Sequence, residues 1–345
     1  MSQTVLRELF PDHKEQGKPN AIQSPKHEHE LEMWDTIQAF EQRAWSPNNK
    51  GFLTGFTALD EALDGLQTGF HMVGGQSNTG KTSFISQMAW NVATLNDNAY
   101  VIDFSLDDPI YEKIPRIIAS SQKVLINAVK APNNFATMPE MLNRRKTGIN
   151  TLKSSVDRYK AYDSNHGSDI DRIEETIRMH ATALEAIQSK RRIIVFIDNF
   201  HDLTTISKEA QGNDKNKYDY IAQKISDIAT VYDIPIVCTG EFRKLNGYRR
   251  PTPDDLRESI KIVYEAKSIL LVYNEVGLKG EAAAVHFLKQ GSPSKQPVLE
   301  IKIDKNKYTS FKGRLFYEFY PEMAYFEEAD QASSKRYNNL VYSNT

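Results

Sequence analysis

The fold of this chain is decided by the stretch Gly75-Gln76-Ser77-Asn78-Thr79-Gly80-Lys81-Thr82. An apolar strand over residues 70–73 leads into it and a helix over residues 83–95 follows, which is the setting that the phosphate-binding pattern Gly-x-x-x-x-Gly-Lys-Thr requires. The glycines allow tight curvature, so that successive N–H groups can point at phosphates, and the following helix adds the positive end of its dipole. The stretch therefore predicts a P-loop protein that binds and hydrolyses ATP.

The residues expected to contact the nucleotide lie in and just after this loop. Lys81 should reach the β- and γ-phosphates, and Thr82 should ligate Mg²⁺. We expect Lys81 to face solvent when the loop is empty. The full set of predicted nucleotide-binding residues is Gly75, Gln76, Ser77, Asn78, Thr79, Gly80, Lys81, Thr82 and Ser83.

Two acidic strand ends complete the predicted catalytic site. Asp198 follows the apolar run over residues 193–197, and an aspartate at the carboxyl end of a buried strand can hold Mg²⁺ through its water shell. Asp107 follows a predicted strand over residues 100–104 and is a candidate for polarising the attacking water. A plain helix cap near Pro109 is the alternative for Asp107, and the sequence leaves both open.

Composition and charge limit the classes of protein to consider. Of the 345 residues, 40% are apolar and 26% charged, and the formal net charge is -2, so a site for a polyanion must be a local basic patch. The single cysteine, Cys238, lies in an apolar run and is expected to be a buried structural thiol. No stretch approaches the ~20 apolar residues of a membrane span or forms a signal peptide, so we expect a cytoplasmic protein without membrane contact.

The order of predicted elements indicates an α/β fold. Short apolar runs alternate with helices, as expected for a mostly parallel sheet that is flanked by helices on both faces. The predicted strands of that sheet cover residues 70–73, 100–104, 192–197, 234–239 and 269–273. Near the C-terminus, alternating runs over residues 298–304 and 314–320 flank a polar turn, which predicts an antiparallel hairpin at the sheet edge.

Four segments are predicted along the chain. Residues 1–30 are polar and should be a disordered tail, and residues 329–345 are expected to be a polar tail. Residues 31–50 hold an amphipathic helix that resembles a linker and ends at a Pro- and Asn-rich break; it either folds back on its own domain or docks on a neighbouring subunit. The ATPase domain is predicted to span residues 51–328.

Several collinear motifs resemble the motor domain of DnaB-type replicative helicases, over about residues 51–328. The entry Thr54-Gly55-Phe56-Thr57-Ala58-Leu59-Asp60, followed by residues 65–69, is similar to that of the family. Four later motifs are similar too: Phe104-Ser105-Leu106-Asp107 to the family's Phe-Ser-Leu-Glu, residues 197–203 to Ile-Asp-Tyr-Leu-Gln-Leu, Asp255-Leu256-Arg257-Glu258-Ser259 to Asp-Leu-Arg-Glu-Ser, and residues 305–313 to the terminal Lys-Gln-Arg-Asn-Gly-Pro-Thr-Gly hairpin.

This resemblance implies a RecA-like ATPase core in a homo-oligomer, usually a six-membered ring with ATP between subunits, that steps along single-stranded DNA. By position, the resemblance assigns the binding of MgATP to Lys81, Thr82 and Asp198. It assigns the role of general base to Asp107. Glu241 takes the position of a glutamine that senses the γ-phosphate. Lys305 and Lys307 take the positions of the Lys and Arg finger that a neighbouring subunit offers.

The sequence departs from the family at several of these positions. Asp107 stands where the family has Glu, which shortens the side chain by one methylene, and Glu241 stands where it often has Gln. Lys307 replaces an arginine and so loses the bidentate guanidinium fork. Ile260 follows Asp-Leu-Arg-Glu-Ser where the family usually has Gly, and the N-terminal helical domain of full-length replicative helicases has no counterpart here. These departures leave the residues for ATP binding intact. They change residues that the family uses for hydrolysis and unwinding, so fast hydrolysis and processive unwinding do not follow from the resemblance.

A basic loop with interleaved aromatic residues follows the strand that ends near Thr239. This mixture suits phosphate contact combined with base stacking, and the resemblance places the loop toward the central channel of the ring, although basic loop residues are commonly solvated surface. The predicted DNA-binding residues are Phe242, Arg243, Lys244, Tyr248, Arg249, Arg250 and Arg257.

Three functions are therefore compared. The first is a DNA-dependent ATPase that resembles a 5′-to-3′ DnaB-type helicase motor, with ATP and Mg²⁺ as cofactors and single-stranded DNA as a partner. The second is an ATP-switched DNA-binding or assembly module, similar to a recombinase or a loader, that does not unwind strands. The third, a small-molecule kinase, is disfavoured because no compact arginine-rich lid is evident in the sequence.

Overall fold

The computed structural model describes residues 33–45, 50–210, 212–242, 247–256, 260–289, 291 and 293–343. The disordered tail that the sequence predicts for residues 1–30 lies outside these ranges. Within them, no helix combines the length and the apolar character that crossing a membrane demands.

A 10-stranded sheet forms the centre of the described structure. Its strands are β1 (Gly69–Gly75), β2 (Ala99–Ser105), β3 (Tyr159–Asp163), β4 (Arg192–Asp198), β5 (Pro235–Glu241), β6 (Ser268–Asn274), β7 (His286–Leu288), β8 (Lys295–Asn306), β9 (Arg314–Tyr320) and β10 (Tyr325–Glu328). The order is β10-β9-β8-β6-β1-β5-β4-β2-β3, and β7 pairs with β8. Strands β6, β1, β5, β4, β2 and β3 are parallel, whereas β8, β9 and β10 are antiparallel. The predicted α/β class and its C-terminal hairpin are confirmed.

Helices cover both faces of the sheet. Within the described ranges they are α1 (Met33–Ala44), α2 (Thr57–Leu63), α3 (Lys81–Leu95), α4 (Ile110–Gln122), α5 (Ile126–Lys130), α6 (Pro139–Ser154), α7 (Ile170–Ala186), α8 (Asp214–Val231), α9 (Ile260–Glu265), α10 (Glu275–Lys279) and α11 (Gln331–Ser343). Successive strand residues point to opposite faces: Met72 packs in the core with α7 and α8, whereas Val73 packs in the core with α3. This two-sided burial explains why the central strands read as continuous apolar runs.

Some elements are absent from the sequence-based prediction. Strand β3 (Tyr-Lys-Ala-Tyr-Asp) has no apolar run because it is the edge strand, and only Tyr159 and Asp163 in it are buried. The segment 329–345, expected as a polar tail, contains α11, on which Tyr337 and Val341 are buried in a core with Phe316. Helix α1 lies inside the predicted linker segment, and its Ile37 and Phe40 are exposed.

The topology brings four strand ends together. Gly75 of β1 pairs with Glu241 of β5, and Ser105 of β2 pairs with Asp198 of β4. Because these strands are parallel and neighbouring, their carboxyl ends lie along one edge of the sheet, where α/β proteins bind ligands. The P-loop, Asp107, Asp198 and Glu241 therefore share this edge.

The antiparallel strand β8 carries Lys305 to the opposite edge. Lys305 pairs with Ile269 near the start of β6, whereas Val272, further along β6, pairs with Gly75 at the P-loop. The three residue steps from Ile269 to Val272 along β6 span about 10 Å at ~3.3 Å per residue. Lys305 and the P-loop of one subunit thus lie toward opposite ends of the neighbouring strands β8, β6 and β1.

Candidate nucleotide-binding site

A cavity of about 590 Å³ opens at the carboxyl edge of the parallel strands. It contains the P-loop and all three predicted acidic residues. Its lining residues are Ser77, Asn78, Gly80, Lys81, Thr82, Ser83, Asp107, Asp108, Arg116, Ile126, Asp198, Asn199, Glu241, Phe319, Pro321 and Ala324. The structure therefore places residues from seven separate segments of the chain around one space.

The P-loop is a tight turn that leads directly into α3. Gly80 has φ of 100°, a conformation that favours glycine, and a Cβ atom there would come within 3.3 Å of Phe326. Lys81 is only 8% exposed, and its Nζ donates a hydrogen bond of 2.7 Å to the carbonyl of Gln76. The expectation that Lys81 faces solvent is wrong, because the backbone of the loop supplies an acceptor for the amine.

Burial lowers the pKa of Lys81, while the carboxylates of Glu241, Asp198 and Asp107 oppose that shift, in decreasing order. The amine is thus buried among carboxylates of the same cavity. Its hydrogen bond is to a backbone carbonyl, an acceptor that a phosphate oxygen can replace. This arrangement suits an amine that binds an anionic ligand such as phosphate.

Asp198 has one carboxylate oxygen satisfied and one open. The hydroxyl of Thr239 donates to Oδ1, whereas the buried Oδ2 has no hydrogen-bond partner among the described residues. Such an orphaned oxygen in a cavity fits Mg²⁺ with its water shell. Among the described residues, no group of three or more His, Cys, Asp or Glu side chains could hold a metal ion.

Asp107 lies at the turn after β2, where its side chain is exposed at the cavity. The N–H groups of Leu106 and Asp107 donate to the Asp198 carbonyl at 2.6 and 3.3 Å, so the two acidic strand ends are tied together. At the start of helix α4, the N–H of Ile110 donates to Asp163 at 3.3 Å and Pro109 provides no side-chain cap, so the alternative of a helix cap by Asp107 is not supported. Partial burial, and after it the charges of Asp108, Asp198 and Glu241, raise the pKa of Asp107.

Glu241 connects the end of β5 to the P-loop. The hydroxyl of Ser77 donates to its Oε1 at 2.8 Å, and its own backbone N–H donates to Nδ1 of His201 at 3.1 Å. The next residue, Phe242, donates its N–H to the carbonyl of Gly75 at 3.3 Å. The position that the resemblance assigns to phosphate sensing is therefore in direct contact with the phosphate loop.

Sequence reasoning missed two charged residues of the cavity. Arg116, on α4, forms an ion pair with Asp108, and both line the cavity. No local motif marks Arg116, because α4 brings it back to the turn after β2 only in the folded chain. The lining also includes four apolar residues, Ile126, Phe319, Pro321 and Ala324, so the cavity has both charged and apolar surface.

Lys305 and Lys307 are outside the cavity of their own subunit. The Nζ of Lys305 donates to the carbonyls of Val263 and Tyr264 at the end of α9. Burial, with smaller contributions from Lys307 and Lys267, lowers the pKa of Lys305 to about 8. The side chain of Lys307 is exposed. The role of these lysines at the nucleotide site of a neighbouring subunit stays a prediction.

The predicted DNA-binding residues divide into three groups. Arg243, Lys244 and Arg257 lie outside the described residues. Tyr248 is 58% exposed and available to a base. By contrast, Phe242 is 7% exposed and belongs to the core with Leu256, so its ring offers no stacking surface and the expectation for Phe242 is corrected.

The two neighbouring arginines of this loop already have carboxylate partners. Arg249 forms two hydrogen bonds with Asp255, at 2.7 and 2.5 Å, and its side chain remains half exposed. Arg250 is largely buried and binds Glu300 through Nε. The expectation that Arg250 contacts phosphate is therefore corrected, because its guanidinium is turned into the protein.

Comparisons with known proteins identify a matching family. A family model described as the DnaB-like helicase C terminal domain matches residues 51–328. A probable replicative DNA helicase of Guillardia theta is 28% identical over 211 residues, which cover 60% of this chain and 33% of that protein. The replicative DNA helicase DnaB of Haemophilus influenzae is 23% identical over 232 residues, which cover 65% of this chain and 46% of that protein.

Solved structures agree in fold. A structure of a DnaB-like replicative helicase and its interactions with primase superposes with a TM-score of 0.72 at 20% identity, covering 87% of this chain and 69% of that one. A solved ATPase domain gives a TM-score of 0.73 at 19% identity and is covered in full by this chain. The chain spans about a third to a half of the length of the curated relatives it matches.

Proposed function

The chain belongs to the family of the DnaB-like helicase C-terminal domain, and from that premise we propose that it is a DNA-dependent ATPase that couples ATP hydrolysis to movement on single-stranded DNA. Membership makes it a helicase-type ATPase with a RecA-like core that binds nucleotide. Movement on DNA, 5′-to-3′ polarity and assembly into a ring or filament are the parts proposed here.

The observation that carries this proposal is the cavity that joins Lys81, Asp107, Asp198 and Glu241 at one edge of the sheet. Lys81 would exchange the Gln76 carbonyl for the phosphates. Thr82 and the open oxygen of Asp198 would hold Mg²⁺, which supplies charge neutralisation at the phosphates when bound. Asp107 would accept the proton of the attacking water, and Glu241 would report the γ-phosphate to the loop that follows β5.

A second candidate is an ATP-switched DNA-binding or assembly module that does not unwind strands. It is favoured by the acidity of the cavity, where four carboxylates (Asp107, Asp108, Asp198 and Glu241) face two cations among the lining residues. Excess negative charge opposes the charge that develops on phosphate in the transition state. An ATPase rate measured with and without single-stranded DNA, together with unwinding of a forked duplex, separates the candidates. DNA-stimulated hydrolysis with unwinding supports the motor, and stimulated binding without unwinding supports the module.

Replacing Asp107 with Asn is expected to lower the hydrolysis rate by about a hundredfold, the lower end of the range for a general base, because Asp107 is exposed to water. Nucleotide affinity should change little, since the carboxylate acts on water rather than on phosphate. Steady-state ATPase and equilibrium binding of a fluorescent ATP analogue measure the two effects. The exposed Asp97→Asn variant, outside the cavity, is the control, and an Asp107→Asn enzyme with the parent's rate removes Asp107 from catalysis.

Replacing Tyr248 with Ala is expected to weaken binding of single-stranded DNA by roughly 1–3 kcal/mol, since a stacked base is lost. The salt dependence of the affinity should stay the same, because no phosphate contact is removed. Fluorescence anisotropy with a labelled oligonucleotide at several salt concentrations measures both quantities. Tyr111→Ala, at an exposed position on α4, is the matched control, and equal losses in both variants would exclude specific stacking by Tyr248.

A further inference from the structure

A buried ion cluster joins the loop after β5 to the C-terminal hairpin. At its centre are Glu275 and Glu300, which are each only 3% exposed. Arg250 Nε contacts both oxygens of Glu300, at 3.1 and 2.8 Å, and Arg314 Nε donates to the same carboxylate at 2.7 Å. Lys279 completes the cluster by donating to Glu275 at 2.6 Å.

Two further contacts fasten the loop at the same place. The guanidinium of Arg250 lies over the ring of Tyr273, 4.9 Å from its centroid, at a distance typical of a cation–π contact. The hydroxyl of Tyr273 donates to the backbone carbonyl of Tyr248. The backbone at Tyr248 and the side chain of Arg250 are thus both held by β6 and β8, while the ring of Tyr248 stays exposed.

The neighbouring Arg249 behaves differently. Its partner, Asp255, lies six residues away in the same loop and also accepts the backbone N–H of Thr252 at 2.7 Å. This pair shapes the loop locally and makes no link to another element. Arg249 and Arg250 are adjacent and chemically identical, but Arg249 has a local partner and Arg250 has a partner 50 residues away. A variant of Arg249 is therefore a matched control for a variant of Arg250.

The path of the loop explains why the link to β8 matters. The loop leaves the nucleotide cavity at Glu241, and its two ends are paired at Phe242 and Leu256. Between these two ends, the side chain of Arg250 contacts Glu300. Glu300 belongs to β8 and pairs with Tyr273 of β6. Strand β8 continues from Glu300 to Lys305, so one continuous strand joins the loop anchor to the candidate finger.

We propose that Arg250 is a positioning residue that anchors the loop after β5 to β8 and thereby places Tyr248 for single-stranded DNA. The proposal rests on the proposed function for the DNA-binding role of Tyr248, but the anchoring itself does not. Buried ion pairs are strongly sensitive to removal of one partner, which leaves an uncompensated charge. Loss of Arg250 leaves Glu300 with Arg314 as a partner, so the fold has a remaining counter-ion while the loop loses its anchor.

The anchoring is tested without DNA by limited digestion of the full chain with chymotrypsin. Cleavage after Tyr248, mapped by mass spectrometry, is expected to be several-fold faster in Arg250→Met than in the parent or in Arg249→Met, because the released loop can enter the protease. Arg250→Lys should restore much of the protection. Thermal unfolding identifies a variant that has lost its fold, and in that case Glu300→Gln provides a second route to a weakened anchor. Equal cleavage of parent, Arg250→Met and Glu300→Gln at this site overturns the proposal.

The role in DNA binding is tested by affinity, salt dependence and ATPase stimulation of the same variants. For Arg250→Met we expect about tenfold weaker binding, a matching loss of DNA stimulation and an unchanged salt slope, with basal ATPase retained. A slope flattened by about 0.7 would mean that Arg250 contacts phosphate directly and would overturn the positioning role. A parent protein that binds no single-stranded DNA would instead contradict the proposed function, while the protease result would still decide whether Arg250 anchors the loop.

Discussion

Replacing Lys81 with Ala is expected to abolish ATP hydrolysis, with a loss of about 10³-fold or more. Among the described residues, Lys81 is the only lysine that lines the cavity, and removal of one preorganised donor to a developing charge already lowers rates by about 10²–10³-fold. Here the donor carries a full charge in a buried site, which strengthens its interaction with phosphate. Phosphate release measured under saturating ATP gives the effect directly.

The loss of activity in Lys81→Ala should leave the fold intact. The side chain makes a single hydrogen bond to the Gln76 carbonyl, and its removal relieves the burial of a cation whose pKa is already lowered by that burial. Thermal unfolding and circular dichroism check this, with the exposed Lys146→Ala on α6 as a control for lysine removal. Hydrolysis at the parent's rate in Lys81→Ala would end the P-loop assignment.

Replacing Lys307 with Ala is expected to lower hydrolysis by about 10²–10³-fold, if it completes the site of a neighbouring subunit. The estimate lies below the 10³–10⁵ of an arginine finger because a lysine is a point charge without the bidentate fork. The geometric reason is the antiparallel course of β8, which places residues 305–307 at the edge opposite to the nucleotide cavity. A head-to-tail contact between copies of the chain would bring the two edges together, as in a ring or filament.

Mixing two inactive variants tests this arrangement sharply. Lys81→Ala subunits keep an intact Lys307, and Lys307→Ala subunits keep an intact P-loop. In an equimolar random mixture about a quarter of head-to-tail interfaces should combine both intact halves, since each half is intact with even odds. Recovered ATPase in the mixture, absent from either variant alone, is the expected result. A strictly monomeric protein with full activity would contradict it.

Much of the fold was predictable because its signals are local. The strand, loop and helix around Lys81 form a local unit whose backbone N–H groups point at a bound anion. The central strands are apolar on both faces because helices cover both faces of the sheet. Acidic residues after β2 and β4 could be assigned to the same site as the P-loop, since the carboxyl ends of neighbouring parallel strands meet at one edge. Strand β3 escaped prediction because an edge strand needs no apolar run.

The details of the site depend on contacts that no local pattern encodes. Arg116 enters the cavity because α4 returns to the turn after β2, and its partner is Asp108. Lys81 is turned onto Gln76 although its chemistry suggested exposure to solvent. In both cases the orientation of a charged side chain follows from the acceptors that tertiary structure places around it, and not from the residue type.

The sequence by itself determined the chemistry of the phosphate loop, the α/β class and the acidic residues that meet it, because these follow from short-range backbone geometry and from strand order. Only the tertiary structure decided which basic and aromatic residues of the next loop are available to a ligand. Phe242 is a core residue, Arg250 is held by Glu300 across the sheet, and Tyr248 remains exposed. The physical reason is that exposure is set by non-local partners: a buried carboxylate 50 residues away in the chain binds a guanidinium that the loop sequence alone would assign to DNA.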